Sequence, residues 1–227
     1  MRLILIRHGQ TPANVAGVLE STVPGPGLTD LGLEQAAQLP PALADERIDA
    51  LFVSTMIRTH LTAAPLAQVR GLTLIERDGV REIAAGDVEG KTDNASVHQY
   101  VSTLLKWCEG QLDVRMPGAE TGAQVIARFD AVVREAEDAG HEAVAIVTHG
   151  AMIRAWCATR ANDVDHDFVA THYVVNTGIV ILNGSMDDEW EVESWLGQSV
   201  SEAAARGVAS DHSPASEHQS ASDRARG

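Results

Sequence analysis

Two continuous apolar runs in this chain each stop at a His-Gly pair: Leu3 to Ile6 leads into Arg7-His8-Gly9, and Ala143 to Val147 leads into Thr148-His149-Gly150. A strand with one wet face alternates apolar and polar residues. A strand without that alternation is covered on both faces, the environment of a parallel sheet held between helices. Each run therefore reads as a buried central strand that delivers polar side chains at its carboxyl end, where open α/β sheets place their ligands.

The rest of the chain alternates strands and helices around these two. From Thr29 to Leu43 the apolar positions Leu33, Ala36, Ala37 and Leu39 recur at helical spacing behind a Thr29 or Asp30 cap, and Pro40-Pro41 predicts a break or kink. Ala50 to Val53 reads as a second buried strand, followed by a helix from about Ile57 to Val69 with Pro65 as a candidate bend, and Leu72 to Ile75 as a third strand. Periodicity weakens from Ala84 to Thr121. A helix over Val97 to Trp107 and a loop at Pro117-Gly118 are expected within an insertion, about 84–121, that covers the site and selects substrate. A helical stripe, Val125, Ile126, Phe129, Val132, Val133 and Ala136, runs to Gly140 ahead of the Ala143 strand, and Ala151 to Thr159 reads as the helix after it. Two late strands, Val174 to Leu182 and Trp190 to Trp195, turn around Asn183-Gly184 and Asp187-Asp188 as an antiparallel edge. After Leu196 large apolar side chains all but vanish, so residues 198–227 are expected as a disordered tail behind a single domain, 1–197.

Charge narrows the partners. Against 17 Lys and Arg stand 32 Asp and Glu, a net charge of −15, which repels phosphate backbones and anionic membranes, so neither nucleic acid nor membrane is an expected partner. Cys108 and Cys157 form no CxxC pair, which argues against a disulfide framework and a zinc site and suits a reducing compartment. The first apolar run is too short for a signal segment and no later one approaches membrane-spanning length, so a cytoplasmic location is expected. His60, His98, His166 and His172 lack any metal-binding spacing and read as surface or structural residues.

A third strand ends near Ser54 to Thr59, so one crevice can collect Arg7, His8, Arg58 and His149. That set suits a phosphate: guanidiniums offer forked donors to its oxygens, helix amino termini add backbone N–H groups, and imidazole supplies a nucleophile at neutral pH. Such chemistry requires neither a metal nor another cofactor.

The segments LILIRHGQTPAN, LTDLGLEQA, SxxxRTxxTA (Ser54 to Ala63), REIAAGDVEG, PGAET and VTHG occur in that order. With them the chain resembles the histidine phosphatase superfamily, specifically the branch of cofactor-dependent phosphoglycerate mutases and small-molecule phosphatases, from Leu3 to about Leu182. The expected fold is α/β: a three-layer α/β/α sandwich with a mostly parallel central sheet, an antiparallel edge strand and a small helical insertion over the active site. The resemblance implies a phosphorylated histidine at His8, phosphate clamps at Arg7, Arg58 and His149, a further phosphate contact at Asn14, and a proton donor at Glu82 in Arg81-Glu82-Ile83. Asn14 has the alternative task of stabilising a turn, and Glu89 and Glu120 compete with Glu82 for the acid role. A carboxyl beside an anionic phosphate has its pKa raised by like charge.

The expected reaction is hydrolysis of a small phosphorylated metabolite in two steps. Neutral His8 attacks phosphorus in line while Arg7, Arg58, His149 and the Gly150 amide balance charge, and Glu82 protonates the leaving oxygen. Water activated by the Glu82 carboxylate then attacks the phosphohistidine. The other nitrogen of His8 is expected to donate to a fixed acceptor such as a backbone carbonyl. Two alternatives stay open: a phosphoglycerate mutase-type phosphoryl transferase, and a phosphate-binding regulatory module without turnover. From Ile83 to Thr121, Lys91, Lys106 and Arg115 face Asp87, Glu89, Asp93, Glu109, Asp113 and Glu120, a net −3 that disfavours the second anionic group a mutase holds unless the insertion's shape places these charges away from the site. The residues leave substrate identity and oligomeric state open.

Overall fold

In the computed structural model, which describes residues 1–206, β1 (Arg2–Arg7) sends Leu3 and Leu5 into one apolar core and Ile4 and Ile6 into another. Side chains alternate between the faces of a strand, so a run that is apolar throughout needs cover on both faces and has it. The chain continues through α1 (Pro12–Ala16), α2 (Asp30–Ala37), α3 (Leu39–Ala42), β2 (Ala50–Val53), α4 (Ile57–Arg70) and β3 (Leu74–Glu76). After single 3₁₀ turns at Asp78–Val80 and Gly86–Val88 come α5 (Asn94–Cys108), α6 (Gly122–Asp138), β4 (Ala143–Thr148), α7 (Gly150–Arg160), α8 (His166–Thr171), β5 (Ile179–Asn183), β6 (Glu191–Trp195) and α9 (Val200–Arg206).

The strands form one sheet in the order β3-β2-β4-β1-β5-β6, parallel from β3 to β1 and antiparallel in the β1-β5-β6 pairings. Leu39 and Leu43 around α3 and Ala63 and Leu66 of α4 pack with Ile4 and Ile6, whereas Leu104, Phe129 and Trp156 of α5, α6 and α7 share the core of Leu3 and Leu5. This is the three-layer α/β/α sandwich. Parallel pairing sets Arg7 opposite Thr148, so the two His-Gly pairs leave the sheet side by side.

Local sequence explains most boundaries. α2 ends at Gln38 because Pro40-Pro41 occupy the first turn of α3, where their missing N–H groups cost no hydrogen bond. Thr121 and Gln124 cap each other to start α6. Three expectations are corrected. The third strand lies at Leu74–Glu76, a shift toward the chain's carboxyl end. β5 begins at Ile179, not Val174, because residues 174–178 form a loop against the end of β1. Residues 198–206 are not structureless: Ser199 and Glu202 form the reciprocal cap of α9, Ala203 is buried, and its carbonyl accepts from His172 Nε2 at 3.0 Å. The remainder of the expected tail lies outside the described residues. Among the described residues no helix is long and apolar enough to cross a membrane.

Candidate active site

β1 and β4 deliver their histidines to one place. The His8 amide donates to Thr148 O at 3.0 Å, and the His8 and His149 ring centroids lie 5.2 Å apart. His8 Nδ1 is 2.8 Å from Gly9 O. A carbonyl only accepts, so Nδ1 carries the proton and the lone pair sits on Nε2. Gly9 in turn donates to Thr62 Oγ1 of α4 at 2.9 Å, and a Cβ at Gly9 would stand 2.7 Å from Gly32 O of α2. Burial, and then the Arg58 and Arg7 guanidiniums, hold the His8 pKa well below its usual 6.5. The ring is neutral at pH 7.

His149 is fully buried behind His8 and does not line the cavity over the site. Its Nε2 lies 2.9 Å from Ser54 Oγ, and Nδ1 accepts from Arg58 Nε at 3.4 Å. In this arrangement the His149 ring orients Arg58. Burial first, then Arg58, depress its pKa as well. Arg58 itself is 3% exposed; its Nη1 pairs with Glu20 Oε2 at 2.8 Å and its Nη2 donates to Glu20 O at 3.2 Å.

Arg7 donates from Nη1 to Val174 O at 2.6 Å, and Asn176 Nδ2 donates to His8 O at 3.0 Å. These bonds, with Thr177 in the left-handed region at φ 55°, explain why Val174 to Gly178 leaves the sheet. Gly150 opens α7 with its Cα against Arg7, close enough that a Cβ there would stand 3.2 Å from Arg7 Nε. Glu82 Oε1 accepts from the Ile83 amide at 2.9 Å and the Met152 amide at 3.1 Å, the latter in the first turn of α7. Burial raises the Glu82 pKa against the pull of the Ile83 amide and of Arg58 and Arg7. Asn14 Oδ1 accepts from the Thr11 amide at 3.1 Å and from Asn176 Nδ2 at 3.3 Å, so the turn-stabilising task is filled.

Arg7, His8, Asn14, Arg58, Glu82 and Gly150 meet at one cavity of about 100 Å³. Glu89 and Glu120, the competitors for the acid role, are held elsewhere, Glu89 by Ser21 and Glu120 by Arg128 and Arg81. Among the described residues no group of three or more His, Cys, Asp or Glu is placed to hold a metal ion.

The sequence model of the histidine phosphatase superfamily (branch 1) matches residues 3–198. The chain belongs to that superfamily. It is 35% identical over 216 residues to the PE-PGRS family protein PE_PGRS11 of Mycobacterium tuberculosis; the match covers 88% of this chain but spans only 37% of that longer relative. Phosphoserine phosphatase 1 of Hydrogenobacter thermophilus is 29% identical over 160 residues, 70% of this chain and 75% of the relative. Among solved structures, a mycobacterial glucosyl-3-phosphoglycerate phosphatase in complex with VO3 superposes with a TM-score of 0.73 at 26% identity, covering 87% of this chain and 99% of that one. Such relatives support a phosphatase activity for this histidine phosphatase chain.

Several residues at the site were not singled out from sequence. Ser54 and Thr62 stand inside the SxxxRTxxTA segment, where hydroxyls flanking the arginine were a usable signal. Arg154, four residues beyond Gly150, reaches the cavity wall and was signalled by helical spacing. Glu20 and Asn176 lie in aperiodic loops and had no signal at all.

Proposed function

We propose that the chain hydrolyses a small phosphomonoester through a phosphohistidine on His8 Nε2. The observation that carries this reading is the bond from His8 Nδ1 to Gly9 O in a buried, neutral ring that reaches the cavity. A lone pair fixed in direction is what in-line attack on phosphorus needs. Arg7, Arg58 and the Gly150 amide at the amino terminus of α7 bind the equatorial oxygens. As phosphate enters, Arg58 exchanges Glu20 for phosphate oxygen. For His149 to donate to the phosphate, its proton moves to Nδ1 and the Ser54 hydroxyl turns to donate to Nε2, which a hydroxyl can do without moving its oxygen.

Glu82 retains its proton to higher pH than an ordinary carboxyl and supplies it to the leaving oxygen; as a carboxylate it then takes a proton from the attacking water. The phosphoserine and glucosyl-3-phosphoglycerate phosphatases among the relatives favour hydrolysis over transfer. The deciding experiment is release of orthophosphate from a panel of phosphomonoesters in the presence of chelator, for the wild type and His8→Ala. Turnover that falls by at least about 10³-fold in the variant supports the reading. Interconversion of 2- and 3-phosphoglycerate with a bisphosphoglycerate primer and no orthophosphate would replace it by a transferase. Tight vanadate binding without any turnover would replace it by a regulatory module.

A further inference from the structure

The wall of the catalytic cavity contains a cation that the reaction above does not use. Arg154 is 3% exposed and lines the cavity with Tyr100 and Tyr173. Its Nε donates to Val169 O of α8 at 2.8 Å and its guanidinium carbon sits 4.4 Å over the Tyr173 ring centroid. Nη2 is buried with no hydrogen-bond partner among the described residues. The titratable groups that bear on it most, Tyr173, Cys108, Tyr100 and Arg7, include no carboxylate. A buried guanidinium lacking both an anion and a partner for one of its forks is costly unless something else supplies them.

Position says what that something is. Arg154 follows Gly150 by four residues on α7 and so lies on the same helix face, about 6 Å along the axis. Helical side chains lean toward the amino terminus, which here is the end that meets the phosphate. We infer that Arg154 determines specificity by receiving a carboxylate carried on the substrate's short carbon body, about one helical turn from the phosphorus. A separation of about one helical turn is spanned by a body of only a few carbons. The insertion's net negative charge does not oppose this, because Ile83, Ala85, Tyr100 and Leu104 are what it presents to the cavity. This is the case in which the insertion's shape keeps its charges away from the site.

The inference rests on the phosphatase reading, and its test separates the two. Phosphoglycolate and ethyl phosphate share a two-carbon body and differ in the carboxylate. Wild type is expected to favour phosphoglycolate in kcat/KM by on the order of 10- to 100-fold. Arg154→Met removes that preference while leaving ethyl phosphate within about threefold, and Arg154→Lys restores part of it. Wild-type turnover without preference overturns the inference, as does an equal fall on both substrates in Arg154→Met, which marks a structural residue. If neither ester is hydrolysed, the wider panel of phosphomonoesters decides the phosphatase reading. Calorimetric binding of the two esters to wild type and Arg154→Met then decides the inference alone: a carboxylate preference lost in the variant supports it, and equal binding refutes it.

Discussion

Replacing Glu82 by Gln removes one proton and little else. The Gln carbonyl can keep both bonds that Glu82 Oε1 accepts, from the Ile83 amide at 2.9 Å and the Met152 amide at 3.1 Å, so the side chain stays where it is. What goes is general acid catalysis, worth about 10² to 10⁴ in rate, or about 2.7 to 5.4 kcal/mol of barrier. The loss depends on how badly the leaving oxygen needs a proton. Esters of simple alcohols are expected to lose the full factor in kcat/KM, and p-nitrophenyl phosphate, whose leaving group departs as a stable anion, less than about tenfold. Burial raises the pKa of Glu82, so wild-type kcat/KM on an alkyl ester falls on an alkaline limb lying above the ordinary carboxyl range, and Glu82→Gln flattens that limb. Steady-state kinetics on both esters across pH make the comparison. Glu82→Ala serves as a contrast, because it orphans two amides and lowers stability by about 1–3 kcal/mol. Equal losses on the two esters in Glu82→Gln would refute the acid role.

Three further outcomes follow from the same geometry. Glu20→Gln frees Arg58 from a carboxylate at 2.8 Å, and inhibition by vanadate or orthophosphate is expected to tighten about tenfold; unchanged or weaker inhibition would mean that Glu20 holds Arg58 in its working position. His8 and His149 have folded pKa values well below 6.5, so the unfolded chain takes up protons first as pH falls. Their contribution to stability is present above 6.5 and is lost below it down to the folded values; Glu82 works in the opposite sense, with stability lost as pH rises from 4.5 through its raised folded value. Urea midpoints should therefore fall from pH 7 to pH 5 in wild type and fall less in His149→Asn, and a parallel pH dependence in the two proteins would contradict the His149 assignment. Gly150→Ala places a Cβ 3.2 Å from Arg7 Nε, displacing a guanidinium already tied to Val174 O; kcat/KM is expected to drop about tenfold, and an unaltered value would show that the guanidinium has room to move.

The sandwich and the meeting of Arg7, His8, Arg58 and His149 were legible because they rest on strong local signals. Leu3 to Ile6 and Ala143 to Val147 lack alternation, and parallel pairing then forces their polar ends together. The start of β5 was illegible for a physical reason: Val174 and Val175 have strand-like side chains, but Val174 O is taken by Arg7 and Thr177 turns the backbone, and neither fact is written in apolar periodicity. The same holds for Glu20, whose bond to Arg58 joins a loop to a helix 38 residues away. His149 was legible as a site residue. Its ring partners were not, since they depend on which nitrogen faces Ser54. The insertion shows why net charge misleads: its carboxylates face Ser21, Arg81, Arg128 and the surface, while its apolar side chains face the cavity.

Quenching the enzyme in base during turnover of a phosphoryl-labelled substrate, and mapping the label by peptide analysis, examines the covalent step itself. Label that survives alkali, is released by acid and resides on the peptide containing His8 is the expected result. Turnover with no label on protein, or with label on a residue other than His8, would contradict the proposal that His8 Nε2 carries the phosphoryl group.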